Sequence, residues 1–191
     1  MTTPNPGDSQ GLQSDPIDAL RVDFAAFFTS EHPGWLRYAQ QRLRHRPDAE
    51  DAVQNAGVTL YRKWDRALRS ADIKAFAFKV VKDAVTDTLR ERVRTEDKAR
   101  KLAAQPESPD TGRAELDRLD DRDAVDRAMA QLAEISPIQA EIVRMRQAGL
   151  KYPQIGEALG IAHTTARTYY SLGWRALQYL LDLSTHQEGN S

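Results

Sequence analysis

The sequence has no cysteine, which excludes disulfides and cysteine-based metal sites. No apolar run approaches the roughly 18 residues of a membrane span, and the first residues, MTTPNPGDSQGLQSD, hold no basic apolar leader, so a cytoplasmic protein is expected. Catalytic patterns are equally scarce. His32, His45, His163 and His186 are scattered, no paired carboxylate–histidine helix motif could hold a metal, and no glycine loop could cradle a phosphate. The expectation is therefore no catalytic residue, no metal, no cofactor and no enzymatic activity.

What is present is helical. A chain of 191 residues can bury a real core in one or two domains. The net charge of −1 conceals a partition: −3 over residues 1–20, +6 over 21–105, −4 over 106–130, +2 over 131–181 and −2 over 182–191. Two basic blocks flank an acidic connector, a pattern that suits two nucleic-acid-facing modules better than a merely soluble helical protein. Arginine outnumbers lysine 20 to 7, which favours forked phosphate contacts.

The most informative stretch is Tyr152 to Leu181, which reads as a helix-turn-helix. Pro153 suits a first helical turn, Ile155, Ala158 and Leu159 give a short apolar side, and Gly160 breaks the helix. Ile161 would plug the angle between the helices. In the second helix Ala166, Tyr170, Gly173, Leu177 and Leu181 recur at helical spacing and point inward. Arg167, Ser171 and Arg175 share the opposite face, with Thr164 and Thr168 beside them, and could offer donors to a major groove. An ordinary helical hairpin with a solvated face fits the same pattern. Before it, Ser136-Pro137-Ile138-Gln139 has a capping-box form, with Ile135 and Ala140 as staple and Gly149 suited to the helix's C′ position.

Upstream, residues 1–16 read as a disordered tail. A helix with Leu20, Phe24, Phe27 and Phe28 inward is expected to break at His32-Pro33-Gly34, and a second to run from Trp35 to about Arg46 with Leu36, Ala39 and Leu43 inward. Arg37, Arg42, Arg44 and Arg46 are expected outside. Asp48 is expected to N-cap a helix that buries Ala52, Val53, Ala56, Leu60 and Trp64 and leaves Glu50, Asp51, Gln54 and Asn55 on a polar face. Residues 65–72 read as a loop. A helix from Ala75 to Arg94 should bury Phe76, Val80, Val81, Ala84 and Leu89, and one starting near Asp121 or Asp123 should bury Val125, Ala128, Met129 and Leu132. Residues after Leu183 read as a polar tail.

In that order AEDAVQNAGVTLYRKW, AFAFKVVKDAVTDTLRERVR and LAEISPIQAEIVRMRQAGLKYPQIGEALGIAHTTARTYYSLGWRAL resemble the extracytoplasmic-function sigma factors of bacterial RNA polymerase, over roughly residues 20–181. The resemblance implies an all-α protein of two small helical domains. These are a region 2-like domain (17–103) that binds core polymerase and melts the −10 element, and a region 4-like helix-turn-helix domain (122–183) that reads the −35 element. The linker 104–121, with tails at 1–16 and 184–191, completes the plan. Glu50, Asp51 and Gln54 match the family's polymerase-binding signature, with Asn55 beside them, although Glu50 and Asp51 equally suit a helix's first turn. Lys79, Lys82, Asp83, Arg90, Arg92 and Arg94 fall at the −10 DNA face, and Asp87 with Arg90 matches a pair that can be purely structural. Loop Arg66–Ile73 matches the segment that captures a flipped base. His163, Thr164, Thr165, Arg167, Thr168, Ser171 and Arg175 fall at the −35 face; Tyr170 is expected in the core, and Tyr169 and Trp174 in packing.

Two departures stand out. Asp83 occupies a place usually held by Asn, and a carboxylate near DNA repels phosphates. Around the recognition helix Ala162, Thr164 and Leu172 replace the usual Ser, Gly and basic residue, so fewer cations face the groove and a modest salt dependence is expected. The implied partners are core RNA polymerase, promoter DNA and an anti-sigma factor. The rival readings are a stand-alone helix-turn-helix regulator and a sigma-like interaction protein that cannot melt DNA.

Overall fold

The computed structural model describes residues 16–102 and 120–188, and all regular structure in them is helical. The expected tail up to residue 15, most of the linker and residues 189–191 lie outside the described residues. Eight helices follow in order: α1 (Pro16–Leu43), α2 (Arg46–Arg62), α3 (Trp64–Leu68), α4 (Ile73–Leu102), α5 (Asp120–Ile135), α6 (Pro137–Gln147), α7 (Tyr152–Leu159) and α8 (His163–Glu188). Helices α1, α2 and α4 pack on one another, and α5, α6, α7 and α8 form a second group.

The expected break at Pro33 does not occur: α1 continues through it. Aromatic residues from both halves meet one cluster. The Phe24 and Phe27 rings lie 5.1 and 5.2 Å from Trp64, while Phe28 is 5.6 Å from Trp35 and Tyr38 is 4.8 Å from Phe78. Such pairs contribute about 0.5–1.5 kcal/mol each, and together they outweigh the roughly 3 kcal/mol cost of an interior proline. The chain turns instead at Arg44, whose φ is 52°, and His45 caps α2. Asp48 is therefore not the N-cap. It lies in the first turn, where its backbone N–H donates to His45 Nδ1 at 3.4 Å. Pro47 falls among the first helical residues, where its missing N–H costs nothing, so it opens the helix rather than ending the previous one.

Ala52, Val53, Ala56, Leu60 and Trp64 are buried as expected. In α4 the deepest residues are Phe78, Val81 and Val85, whereas Phe76, Val80, Ala84 and Leu89 are half-buried. The apolar side of the helix is therefore wider than expected, and its deepest line is shifted toward Phe78 and Val85. It also starts earlier than expected, because Asp72 Oδ1 accepts the backbone N–H groups of Lys74 and Ala75 at 2.8 and 3.0 Å. The loop expected over 65–72 is partly helical as α3.

In the second group Ala128, Met129 and Leu132 are buried, but Val125 is 39 % exposed. Ser136 caps α6 by its backbone position only, without a side-chain hydrogen bond. The capping box fails because the Ser136 N–H already donates to Leu132 O at 2.8 Å, leaving nothing for Gln139 to accept. The staple fails as well, since Ile135 is 69 % exposed. Gly149 does take positive φ (100°), and Leu150 N–H to Met145 O with Gly149 N–H to Arg146 O closes a Schellman turn. α8 runs on to Glu188, past the expected end at Leu183.

Candidate functional site

Helix α2 presents the first candidate face. Asp51, Gln54 and Asn55 are exposed and Glu50 is half-buried. Glu50 Oε1 accepts from Arg46 Nε at 2.8 Å, and this bond raises the pKa of the Arg46 guanidinium. Because the pair is solvent-exposed it holds Glu50 only weakly, so a partner can take the carboxylate at little cost.

The outer face of α4 is a different surface. Lys79 and Asp83 are exposed and Lys82 is half-buried. Arg90 meets Asp87 at 3.0 Å and Arg94 meets Glu91 at 3.5 Å, both i, i+3 pairs along the helix. Arg92 is committed elsewhere. Its Nη1 donates to Leu43 O at 2.8 Å and lies 3.7 Å from Asp48 Oδ2, so it satisfies the C-terminus of α1 and ties it to α2. Of the six −10 candidates, Arg92 is thus held by contacts within the fold, and Arg90 and Arg94 share their charge with neighbouring carboxylates.

Helices α7 and α8 give the cleanest surface. Gln154 folds back to accept the Lys151 N–H at 2.8 Å, fixing the start of α7, and Gly160 ends it with φ 68°. Ile161 is half-buried in the angle, as expected. The inward stripe of α8 is also as expected: Ala166, Gly173 and Leu177 are buried, and Tyr170 and Leu181 are half-buried. Gly173 lets α6 approach closely, since a Cβ there would stand 3.1 Å from Gln139 Cβ and 3.2 Å from Val143 Cγ2. His163, Thr164, Arg167, Thr168, Ser171 and Arg175 are exposed, with Thr165 half-buried. Thr168 and Ser171 donate to the carbonyls of Thr164 and Arg167, both at 3.1 Å, which leaves their hydroxyl oxygens as acceptors facing outward.

Two groups of residues escaped the sequence reading. Arg146 lies over the rings of Tyr152 (4.8 Å) and Tyr170 (5.8 Å), and Tyr170 stacks on Trp174 at 6.1 Å. This ladder fixes the angle of the hairpin, and Trp174 remains 41 % exposed at its end. The second group lies between the two helical groups. Tyr38 donates to Glu141 at 2.5 Å, Arg42 lies 3.8 Å from the same carboxylate, and buried Arg144 is 4.0 Å from it. Burial and then Glu141 push the Tyr38 pKa far above the usual phenol range, so Tyr38 stays a donor. Burial, and then Arg42, lower that of Arg144. No local signal marks such partners, which stand 103 positions apart for Tyr38 and Glu141.

Among the described residues no group of His, Asp and Glu is placed to hold a metal ion, and no helix is long and apolar enough to cross a membrane. A search of curated proteins gives no match. The sigma-70 region 2 family matches residues 27–95, which contain the α2 face and most of α4. The fold is similar to that of the sigma factor RpoE from Bartonella quintana, solved in complex with the anti-sigma factor NepR. The TM-score is 0.62 at 21 % identity, over 84 % of this chain and 97 % of that one. A sigma-70 region 2 is thus matched over α2, α3 and parts of α1 and α4, and the fold, through the helix-turn-helix, is similar to that of a sigma factor.

Proposed function

We propose that the chain is an alternative sigma factor of the extracytoplasmic-function type. It binds core RNA polymerase through Glu50, Asp51, Gln54 and Asn55. It engages the −10 element with Lys79, Lys82, Asp83, Arg90, Arg92 and Arg94, and reads the −35 element with His163, Thr164, Thr165, Arg167, Thr168, Ser171 and Arg175. Residues 17–103 form the first domain, 104–121 the linker and 122–183 the second domain. Catalysis belongs to the polymerase. The observation that carries the reading is the sigma-70 region 2 over residues 27–95, followed in the same chain by a helix-turn-helix with an exposed Arg167–Ser171–Arg175 stripe. An anti-sigma partner is part of the proposal, since the similar RpoE was solved with one.

Purified protein mixed with core RNA polymerase and genomic promoter fragments should give discrete transcript starts, each preceded by a shared pair of spaced elements. Core binding without any starts would favour a sigma-like interaction protein. That second reading has a specific observation behind it: Asp83 is exposed between Lys79 and Arg90, and Arg92 is held by the fold. Failure to bind core, with tight binding to duplex alone, would favour a stand-alone regulator.

A further inference from the structure

Most apolar faces of the molecule are answered within it. The larger core runs from Trp35, Tyr38 and Phe78 into Ile142, Met145 and Ile155, and around it Arg37 donates to Gln147 O and Arg44 to Asp126 O, both at 2.8 Å. One line on α8 stays open. Leu172 is 44 % exposed, Tyr179 63 % and Leu183 45 %, with half-buried Ala176 between them. At 100° per residue these four fall within an arc of about 60°, turned about 130° from the stripe that α8 presents to the core. The helix is thus apolar along two lines, and the second faces outward. Apolar residues exposed singly need no explanation, but a contiguous line of them marks a surface that another molecule covers.

The spacing of that line, four, three and four residues, is that of the a and d positions along a two-helix seam. A second copy of α8 completes it when the two helices run antiparallel about a point between Leu177 and Gln178. Leu172 then meets Leu183 of the second copy, and small Ala176 meets the ring of its Tyr179, each contact occurring twice. Beside the seam stand exposed Arg175 and Asp182, seven residues apart, and the same arrangement sets each against the other's counterpart. Parallel helices fit worse. Ala176 would face Ala176 and leave a gap, Tyr179 would crowd Tyr179, and Arg175 would look across at Leu180 instead of a carboxylate.

We propose that this protein forms a reversible antiparallel homodimer through the Leu172–Ala176–Tyr179–Leu183 line of α8, and that the dimer masks the face assigned to the −35 element. The seam covers about 18 Å of helix, too little for an obligate dimer, so association follows concentration. Exposed ion pairs add little strength, and Arg175 with Asp182 therefore sets the direction of the helices more than their affinity. Arg175 lies on the reading face and Leu172 directly follows Ser171, so a second copy and a major groove cannot occupy α8 together. The association itself stands without the sigma-factor reading; its competition with DNA rests on that reading.

Sedimentation equilibrium of the full chain over a wide range of concentrations should show a monomer–dimer equilibrium. Tyr179→Glu, at a position too exposed to disturb the fold, should weaken it at least about tenfold. Arg175→Asp sets like charges across the seam at two places and should weaken it about fivefold, and adding Asp182→Arg should return the wild-type affinity. The cysteine-free sequence gives a second measure of direction. A mixture of Arg175→Cys and Asp182→Cys chains should be joined by a short bis-methanethiosulfonate reagent, and neither variant alone should be. Monomer at every concentration overturns the proposal, as does a dimer that Tyr179→Glu leaves intact. If the wild type stays monomeric and Tyr179→Glu loses core RNA polymerase, the line belongs to the polymerase instead. Cross-linking of either single variant by itself overturns the antiparallel order. Promoter duplex taken from the mapped transcript starts should return the dimer to monomer; a dimer that persists on bound duplex overturns the masking. Absence of any starts removes the sigma-factor reading, and sedimentation with cross-linking still decides the dimer.

Discussion

Helices α4 and α8 are both long and amphipathic, and both carry arginines on the face turned from the core, yet they commit those arginines differently. On α4 the cations are answered by the fold: Arg92 by Leu43 O and Asp48, Arg90 by Asp87, Arg94 by Glu91. On α8 Arg167 and Arg175 are exposed in one stripe with hydroxyls between them. The same residue type is a tie within the protein in one place and, among the described residues, an exposed, unpaired cation in the other. Two things separate them: α4 has a carboxylate three residues before Arg90 and before Arg94, and at Arg92 it passes close to the α1–α2 corner.

The largest effect that bears on this comparison should come from the hidden side of α8. Gly173→Leu overfills the crossing with α6 and should cost about 3 kcal/mol, measured by denaturant unfolding. If stability held, the outer stripe would not depend on the close crossing. Next, Arg167→Ala and Arg175→Ala should each weaken duplex binding by about 1–3 kcal/mol and lower the log-salt slope by about one. Arg92→Ala should leave that slope unchanged and cost about 1 kcal/mol of stability, seen as a lower melting temperature. A slope change for Arg92→Ala would erase the distinction between the helices. Asp83→Asn removes a carboxylate from the α4 face and should increase promoter opening in a permanganate footprint of unpaired thymines; no gain would clear Asp83 of blame.

The smallest effect concerns pH. The Tyr38 pKa is raised in the folded chain, so above about pH 10 the unfolded chain releases a proton that the folded chain retains. The stabilisation present below pH 10 is therefore lost as pH rises further, at no more than about 1.4 kcal/mol per unit. Tyr38→Phe should flatten that part of the stability–pH curve relative to wild type, and equal slopes would show that Tyr38 contributes nothing to it.

Much of the fold was legible because its elements are set by local periodicity. The buried stripes of α2 and α8 could be read directly, as could the αL glycines Gly149 and Gly160. In each error another residue, near or distant, took the group or place that a local rule had assigned. Ser136 N–H went to Leu132 O, so the capping box had nothing to close on. Pro33 stayed within α1 because aromatic residues on both sides of it packed in one cluster. His45 took the capping place given to Asp48, once Pro47 opened the helix. In the candidate site the exposed stripe of α8 was foreseen, whereas the employment of Arg92, Arg37, Arg42 and Arg44 was not.

The sequence by itself determined the helical class, the order of the elements and the chemistry offered on each outer face, because these follow from spacing of three and four residues and from short ordered motifs. Only the tertiary structure decided which cations remain free and that the two helical groups share a core. Both depend on partners up to 110 positions apart, Arg37 and Gln147 among them, and no local pattern encodes a contact at that range.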